Sequence, residues 1–208
     1  MKTPWPNSRG YTRSGEKPIK GRMGWTPAVV LGILACGVFF LGLCKATAQT
    51  DDDPEYQVKL AFLYNFAQFI QWPAEAFSDS SAPLRICIAG PDPFTGGAAQ
   101  ALRGRTASGH RIEIKALKSK DDPRACHMIF VRAGEKNAVT KILSAIRGSN
   151  ALTIGESKGF ADSGGVINLT LQDNKLQFEI NLDAALQTRL KISSKLLALA
   201  KIVKGETP

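Results

Sequence analysis

The sequence predicts an α/β fold: a single layered domain with a mainly parallel central sheet, an N-terminal amphipathic helix, a C-terminal antiparallel hairpin and closing helices. Three observations lead there. The middle of the chain alternates strand-like and helix-like runs, which argues for a layered parallel sheet. Glu55 to Pro73, EYQVKLAFLYNFAQFIQWP, repeats apolar residues at helical spacing over an unusually wide arc, so it must be covered by something. The chain then closes with two alternating runs around a polar turn, the pattern of a hairpin.

Taken in order, residues 1 to 27 are basic and broken by Pro4, Pro6, Pro18 and Pro27, and no packed structure is expected of them. Ala28 to Cys44 is a 17-residue run without a charge, followed by Lys45 and the triplet Ala46-Thr47-Ala48. A basic n-region, an apolar h-region and an A-x-A site describe a secretory signal cleaved after Ala48. An uncleaved single anchor is the rival reading, since 17 apolar residues reach the lower limit for a span. Leu43 before Cys44 speaks against lipidation. The domains are thus 1–48, a signal peptide with an extended basic n-region, and 49–208, one α/β domain.

The leader changes the charge argument. The chain is formally +9, but residues 1 to 48 hold seven Lys/Arg and one Asp/Glu, which leaves +3 for the remainder. A nucleic-acid role loses its main support. Removing the leader also leaves Cys87 and Cys126 as the one remaining cysteine pair. In an exported domain a disulfide between them is expected, closing a loop of roughly 40 residues that stabilises by about 3 to 4 kcal/mol. Two separate buried thiols are the other reading, because sequence cannot show that the residues meet.

Pro54 suits a first helical turn and Asp51 to Asp53 suit the positive end of the helix dipole, so the helix begins near Glu55 and Pro73 ends it. Phe62, Phe66 and Phe69 are assigned to the core. The second flank, Leu60, Leu63 and Ile70 with Trp72 after it, is expected to remain for a partner or a second copy of the chain. Asn65 on the apolar face needs hydrogen-bond partners if buried.

Leu84 to Ala89 reads as a strand closing in Gly90-Pro91-Asp92-Pro93, with Asp92 as N-cap of a helix over Phe94 to Leu102. Arg111 to Leu117 alternates as a half-exposed strand, and Asp121 and Asp122 open a short turn. His127 to Val131 is a buried central strand. Lys136 to Ile146 is a helix stopped at Gly148, and Ala151 to Ile154 a short strand. Gly165 to Leu171 and Lys175 to Ile180 form the hairpin around Gln172-Asp173-Asn174. Asn181 to Leu190 and Ser193 to Val203 read as two closing helices.

The catalytic inventory is thin. His127 starts an apolar strand, where a core histidine is the usual explanation. Metal-ligand spacing, C-x-x-C and a phosphate-binding loop are all missing from the sequence, so no catalytic residue, metal or cofactor is expected and the chain reads as a non-enzyme. Two loops follow strands, where parallel sheets place ligand crevices. They supply Asp92 and Phe94 in AGPDPF and Glu156, Lys158 and Phe160 in GESKGF as candidate ligand contacts, the basis of an alternative reading as a small-molecule-binding module. Arg103, Arg105, His110 and Arg111 form a local basic patch, by default a solvated surface.

YNFAQFIQWP, LRICIAGPDPF, the Cys87 to Cys126 spacing and the terminal series GG-x-I-N, F-x-I-N and S-x-L-L-x-L-A together resemble the YfiR family of periplasmic regulators. The resemblance implies a periplasmic repressor that binds the periplasmic domain of a membrane-bound diguanylate cyclase and holds down cyclic-di-GMP synthesis, and with it biofilm formation. It also implies an OmpA-like outer-membrane lipoprotein that sequesters the repressor and a disulfide whose redox state tunes stability; the homodimer comes instead from the free apolar flank of the first helix. Some members carry a second cysteine pair near GG-x-I-N. Ala161 to Asn168 has none here, so redox tuning would rest on Cys87 and Cys126 alone.

Overall fold

The computed structural model describes residues 53–94, 97–173 and 175–204. The expected leader, residues 1–48, lies outside them, as do Asp51, Asp52 and the turn residue Asn174.

The first helix, α1 (Pro54–Phe69), starts where Asp53 accepts the Glu55 N–H through its side chain at 3.0 Å, with proline in the first turn. It stops four residues earlier than the apolar pattern suggests. Ile70–Gln71 is a short strand, β1, that pairs antiparallel with β9 (Lys191–Ile192), and this tertiary pairing overrides the continuing apolar period.

The main strands are β2 (Leu84–Ala89), β3 (Thr106–Ala107), β4 (His110–Leu117), β5 (Met128–Val131), β6 (Leu152–Gly155), β7 (Ile167–Gln172), β8 (Lys175–Asn181) and β10 (Lys201–Val203). Among the described residues they form one sheet in the order β10-β8-β7-β6-β5-β2-β4-β3. Pairing is parallel except at the β7–β8 hairpin and the small β3 edge, so the mainly parallel sheet is as the alternation predicts.

Helices α2 (Gly97–Leu102) and α3 (Lys136–Ala145) carry the crossovers β2 to β4 and β5 to β6. Those crossovers run in opposite directions from the middle of the sheet, and right-handed connections then put their helices on opposite faces. On one face Ile86, Ile88, Met128, Phe130, Leu152 and Ile154 meet α1 and α2. On the other, Cys87, Ala89, Ile129 and Val131 meet Ile142 of α3 and its C-cap Ile146. The apolar run MIFV of β5 is buried on both faces.

Three further elements differ from expectation. Helix α2 begins at Gly97 instead of Phe94, because the Asp92 carboxylate accepts the Phe94 N–H (2.9 Å) in a tight turn that points Phe94 into the core. Helix α4 (Leu182–Gln187) is shorter than Asn181 to Leu190, since Arg189 adopts a left-handed backbone (φ 57°) that ends it. Ser193 to Val203 is one turn of helix, α5 (Ser194–Leu197), capped by Ser193, followed by β10 alongside β8. Ile202 and Val203 are β-branched and complete the sheet edge.

Candidate functional site

The orientation of α1 decides which residues a partner can reach, and it is the reverse of the expected one. The inward stripe runs from half-buried Tyr56 through buried Lys59, Leu60, Leu63, Phe66, Ala67 and Ile70, a single face. Leu63 and Ile70 are fully buried, Leu60 nearly so, and Trp72 is buried with its Nε1–H donated to the His127 carbonyl (3.2 Å). These four expected partner residues therefore belong to the core. Phe66 is core as expected, and Phe62 is half-buried, its ring 5.8 Å from that of Phe178. Phe69 is 40% exposed and Val58 47%. Ala61 and Asn65 are exposed between them, so the Asn65 amide needs no protein partner. The outward face of α1 is thus Val58, Ala61, Phe62, Asn65 and Phe69.

What turns the helix this way is polar. Lys59 is only 5% exposed and donates to Glu156, whose side chain is 4% exposed, while also pairing with Glu55 one turn earlier (2.5 Å). Glu156 follows β6 directly. It accepts the Tyr56 hydroxyl (3.0 Å) and the Ala133 N–H (2.8 Å), with Arg132 Nε at 3.8 Å. Arg132, just past β5, donates to the Tyr56 hydroxyl (2.7 Å) and the Pro91 carbonyl (3.3 Å), and its guanidinium lies over the Tyr56 ring at 4.9 Å. Burial works against the Lys59 ammonium, but hydrogen bonds to Glu156 and Glu55 outweigh it and raise its pKa. Burial raises the Tyr56 pKa, with the Arg132 hydrogen bond opposing and Glu156 adding to it.

This cluster sits at the carboxyl ends of β2, β5 and β6, beside the point where strand order reverses between β2 and β5, the place such sheets reserve for ligands. Here the crevice is filled from within. Phe94 packs edge-on against Tyr56 at 6.0 Å and lies 5.3 Å from Phe130, and Asp92 spends its carboxylate on the local turn. The cluster therefore acts chemically as an anchor for α1. Sequence reading missed Tyr56, Lys59 and Arg132; the available signal was Lys59 at helical spacing within an apolar stripe, with Glu55 four residues before it.

The five candidate ligand contacts do not converge. Asp92, Phe94 and Glu156 belong to the filled crevice, whereas Phe160 is buried on the α3 face and Lys158 is exposed beside it. Phe160 explains the GG motif: a Cβ at Gly155 would stand 2.3 Å from its ring and one at Gly165 2.1 Å. Gly164 supplies a positive φ of 96°. Asn181 of F-x-I-N caps α4 by accepting the Ala184 N–H (3.0 Å) and donates to the Ala161 carbonyl (2.8 Å).

At the opposite ends of the strands, His127 joins three segments. Its Nδ1 accepts the Arg85 N–H (3.0 Å), so Nε2 is the protonated nitrogen and donates to the Ala76 carbonyl (3.0 Å). Phe77 stacks on His127 at 4.4 Å and on His110 at 3.6 Å. Burial depresses the His127 pKa from its ordinary 6.5. His110 is thereby taken out of the basic patch, where Arg105 instead lies over the Tyr64 ring at 5.5 Å.

Cys87 and Cys126 form a disulfide, their Cα atoms 5.9 Å apart, stapling β2 to the segment before β5 on the α3 face. Among the described residues no helix is long and apolar enough to cross a membrane, and no group of three or more His, Cys, Asp or Glu could hold a metal. A family model described as YfiR/HmsC-like matches residues 56–201, which runs from Tyr56 of the anchoring cluster to the first residue of β10. This chain belongs to the YfiR/HmsC-like family.

Proposed function

We propose that this protein is a periplasmic repressor that docks on the periplasmic domain of an inner-membrane diguanylate cyclase and lowers cyclic-di-GMP synthesis. Family membership suggests the coarser part, a periplasmic regulator of diguanylate cyclase signalling and not an enzyme. The observation that carries the rest is the outward face of α1, where Val58 and Phe69 stand largely free with half-buried Phe62 between them. Apolar side chains held on a rigid helix favour docking into a partner's groove.

Repression then requires tighter binding to the inactive cyclase state than to the active one. A leader ending at Ala48 would deliver the chain to the periplasm, where the Cys87–Cys126 disulfide persists. The sequestering OmpA-like lipoprotein rests on the family resemblance alone, and the homodimer loses its basis because Leu60, Leu63 and Ile70 are buried.

The test is capture of the cyclase's periplasmic domain by this protein, alongside cellular cyclic-di-GMP. Val58→Glu with Phe69→Glu is expected to abolish capture and raise cyclic-di-GMP while the unfolding midpoint stays put. Undiminished capture by that variant removes the α1 face from the proposal, and unchanged cyclic-di-GMP on deleting the gene removes repression.

A further inference from the structure

Beside α3, a groove of about 400 Å³ runs between α3, α4 and the loop after β6. Its α3 wall is Lys136, Val139, Thr140, Leu143 and Ser144, an i, i+3, i+4 stripe along the helix that Arg147 continues just past its end, so the groove follows the helix axis. Its floor is apolar, made of Phe160, Val166 and Ala184 beside Val139 and Leu143. The buried polar groups at the floor are already used: Thr153 Oγ1 accepts the Val166 N–H (2.9 Å), and Asn181 caps α4. A ligand would meet the floor through apolar surface only.

The rim is different. Lys136 and Lys158 approach from the carboxyl side of the strands and Arg147 from the far end of α3, and none of the three makes an ion pair among the described residues. Asp183 is the single carboxylate on the lining, and it sits in the first turn of α4. Hydroxyls of Thr140 and Ser157 complete the rim, while those of Ser144 and Ser163 already donate to the Thr140 (2.8 Å) and Gly159 (2.9 Å) carbonyls.

We infer that this groove binds a small amphipathic anion: an apolar, flat or chain-like body laid along Leu143 and Phe160, with its acidic group held at the Lys136/Lys158 end, where two of the three cations lie. The charge balance selects the sign, three cations against one carboxylate, and the satisfied floor selects the apolar body. The lining shares no residue with the outward face of α1, so its occupant and a docked partner do not compete for residues.

A matched pair of probes tests this directly. 8-Anilinonaphthalene-1-sulfonate and N-phenyl-1-naphthylamine share one aromatic body and differ by the sulfonate. Titrated by fluorescence into the purified, disulfide-intact protein, the sulfonate is expected to bind at one saturable site, about tenfold tighter than the neutral probe, and to weaken as ionic strength rises. Lys136→Glu with Lys158→Glu should remove most of that difference. Ser144→Trp, an exposed position on the α3 wall, should block both probes without shifting the unfolding midpoint. Equal affinities of the two probes overturn the anionic assignment. Sulfonate binding unchanged in Ser144→Trp overturns the groove itself.

Discussion

Lys59 donates to the Glu156 carboxylate across 97 residues of chain, and both side chains are almost wholly buried. One helix is thereby fastened to the ends of two central strands, since Glu156 also accepts the Tyr56 hydroxyl and the Ala133 N–H. Removing one partner strands the other without solvent, which typically costs about 3 kcal/mol or more. Lys59→Met is therefore expected to lower unfolding stability by about that amount in urea titration, and adding Glu156→Gln should recover part of the loss. A stable Lys59→Met single variant would show that the cluster does not anchor α1.

The two sides of α1 make a paired prediction. Leu63→Glu places an unpaired charge in the core and should cost on the order of 4 kcal/mol, enough to unfold a marginal domain. Phe69→Glu, on the exposed side, should leave stability within about 0.5 kcal/mol while weakening partner capture. Circular dichroism melts separate the two, and a folded Leu63→Glu protein would contradict the orientation of the helix.

Acid sensitivity is expected from His127. Its folded pKa lies below the ordinary 6.5, so between the two values the unfolded chain binds more protons than the folded one. Stability from the neutral ring is present above about pH 6.5 and declines as pH falls toward the folded value. Protonation would also end the acceptance of the Arg85 N–H. His127→Gln should flatten the stability profile over that window, and an unchanged slope between wild type and variant would assign the acid response elsewhere.

Gly155→Ala tests the tight seat of Phe160. The new methyl would overlap the ring at 2.3 Å, so a loss of about 1 to 3 kcal/mol is expected. Phe160→Leu in the same chain should relieve part of it. If Gly155→Ala alone is neutral in chemical denaturation, the ring moves freely and the tight seat of Phe160 against Gly155 fails.

The disulfide closes a loop with a sequence separation of 39 residues, and its loss should cost about 4 kcal/mol on the chain-entropy account. Both cysteines are buried, so reduction is expected to require partial opening and to be slow until mild denaturant is added. Thiol counting with and without denaturant measures this; rapid reduction of the native protein would contradict the burial.

The alternation from β2 to β6, the double-sided burial of β5 and the hairpin were legible along the chain, because each follows from local period or from residue type; the cysteine count raised the disulfide without showing that Cys87 and Cys126 meet. The rotation of α1 was not legible. An apolar arc as wide as Leu60 to Ile70 permits several orientations of nearly equal hydrophobic gain, and nonlocal polar contacts of Lys59 and Tyr56 choose among them. The short strands β1, β9 and β10 were hidden for the same reason, since each exists through a partner distant in sequence. Periodicity thus set the elements and the amount of apolar surface, while the folded arrangement chose which flank of α1 faces the core and which faces outward: a local pattern cannot encode the position of Glu156 in space.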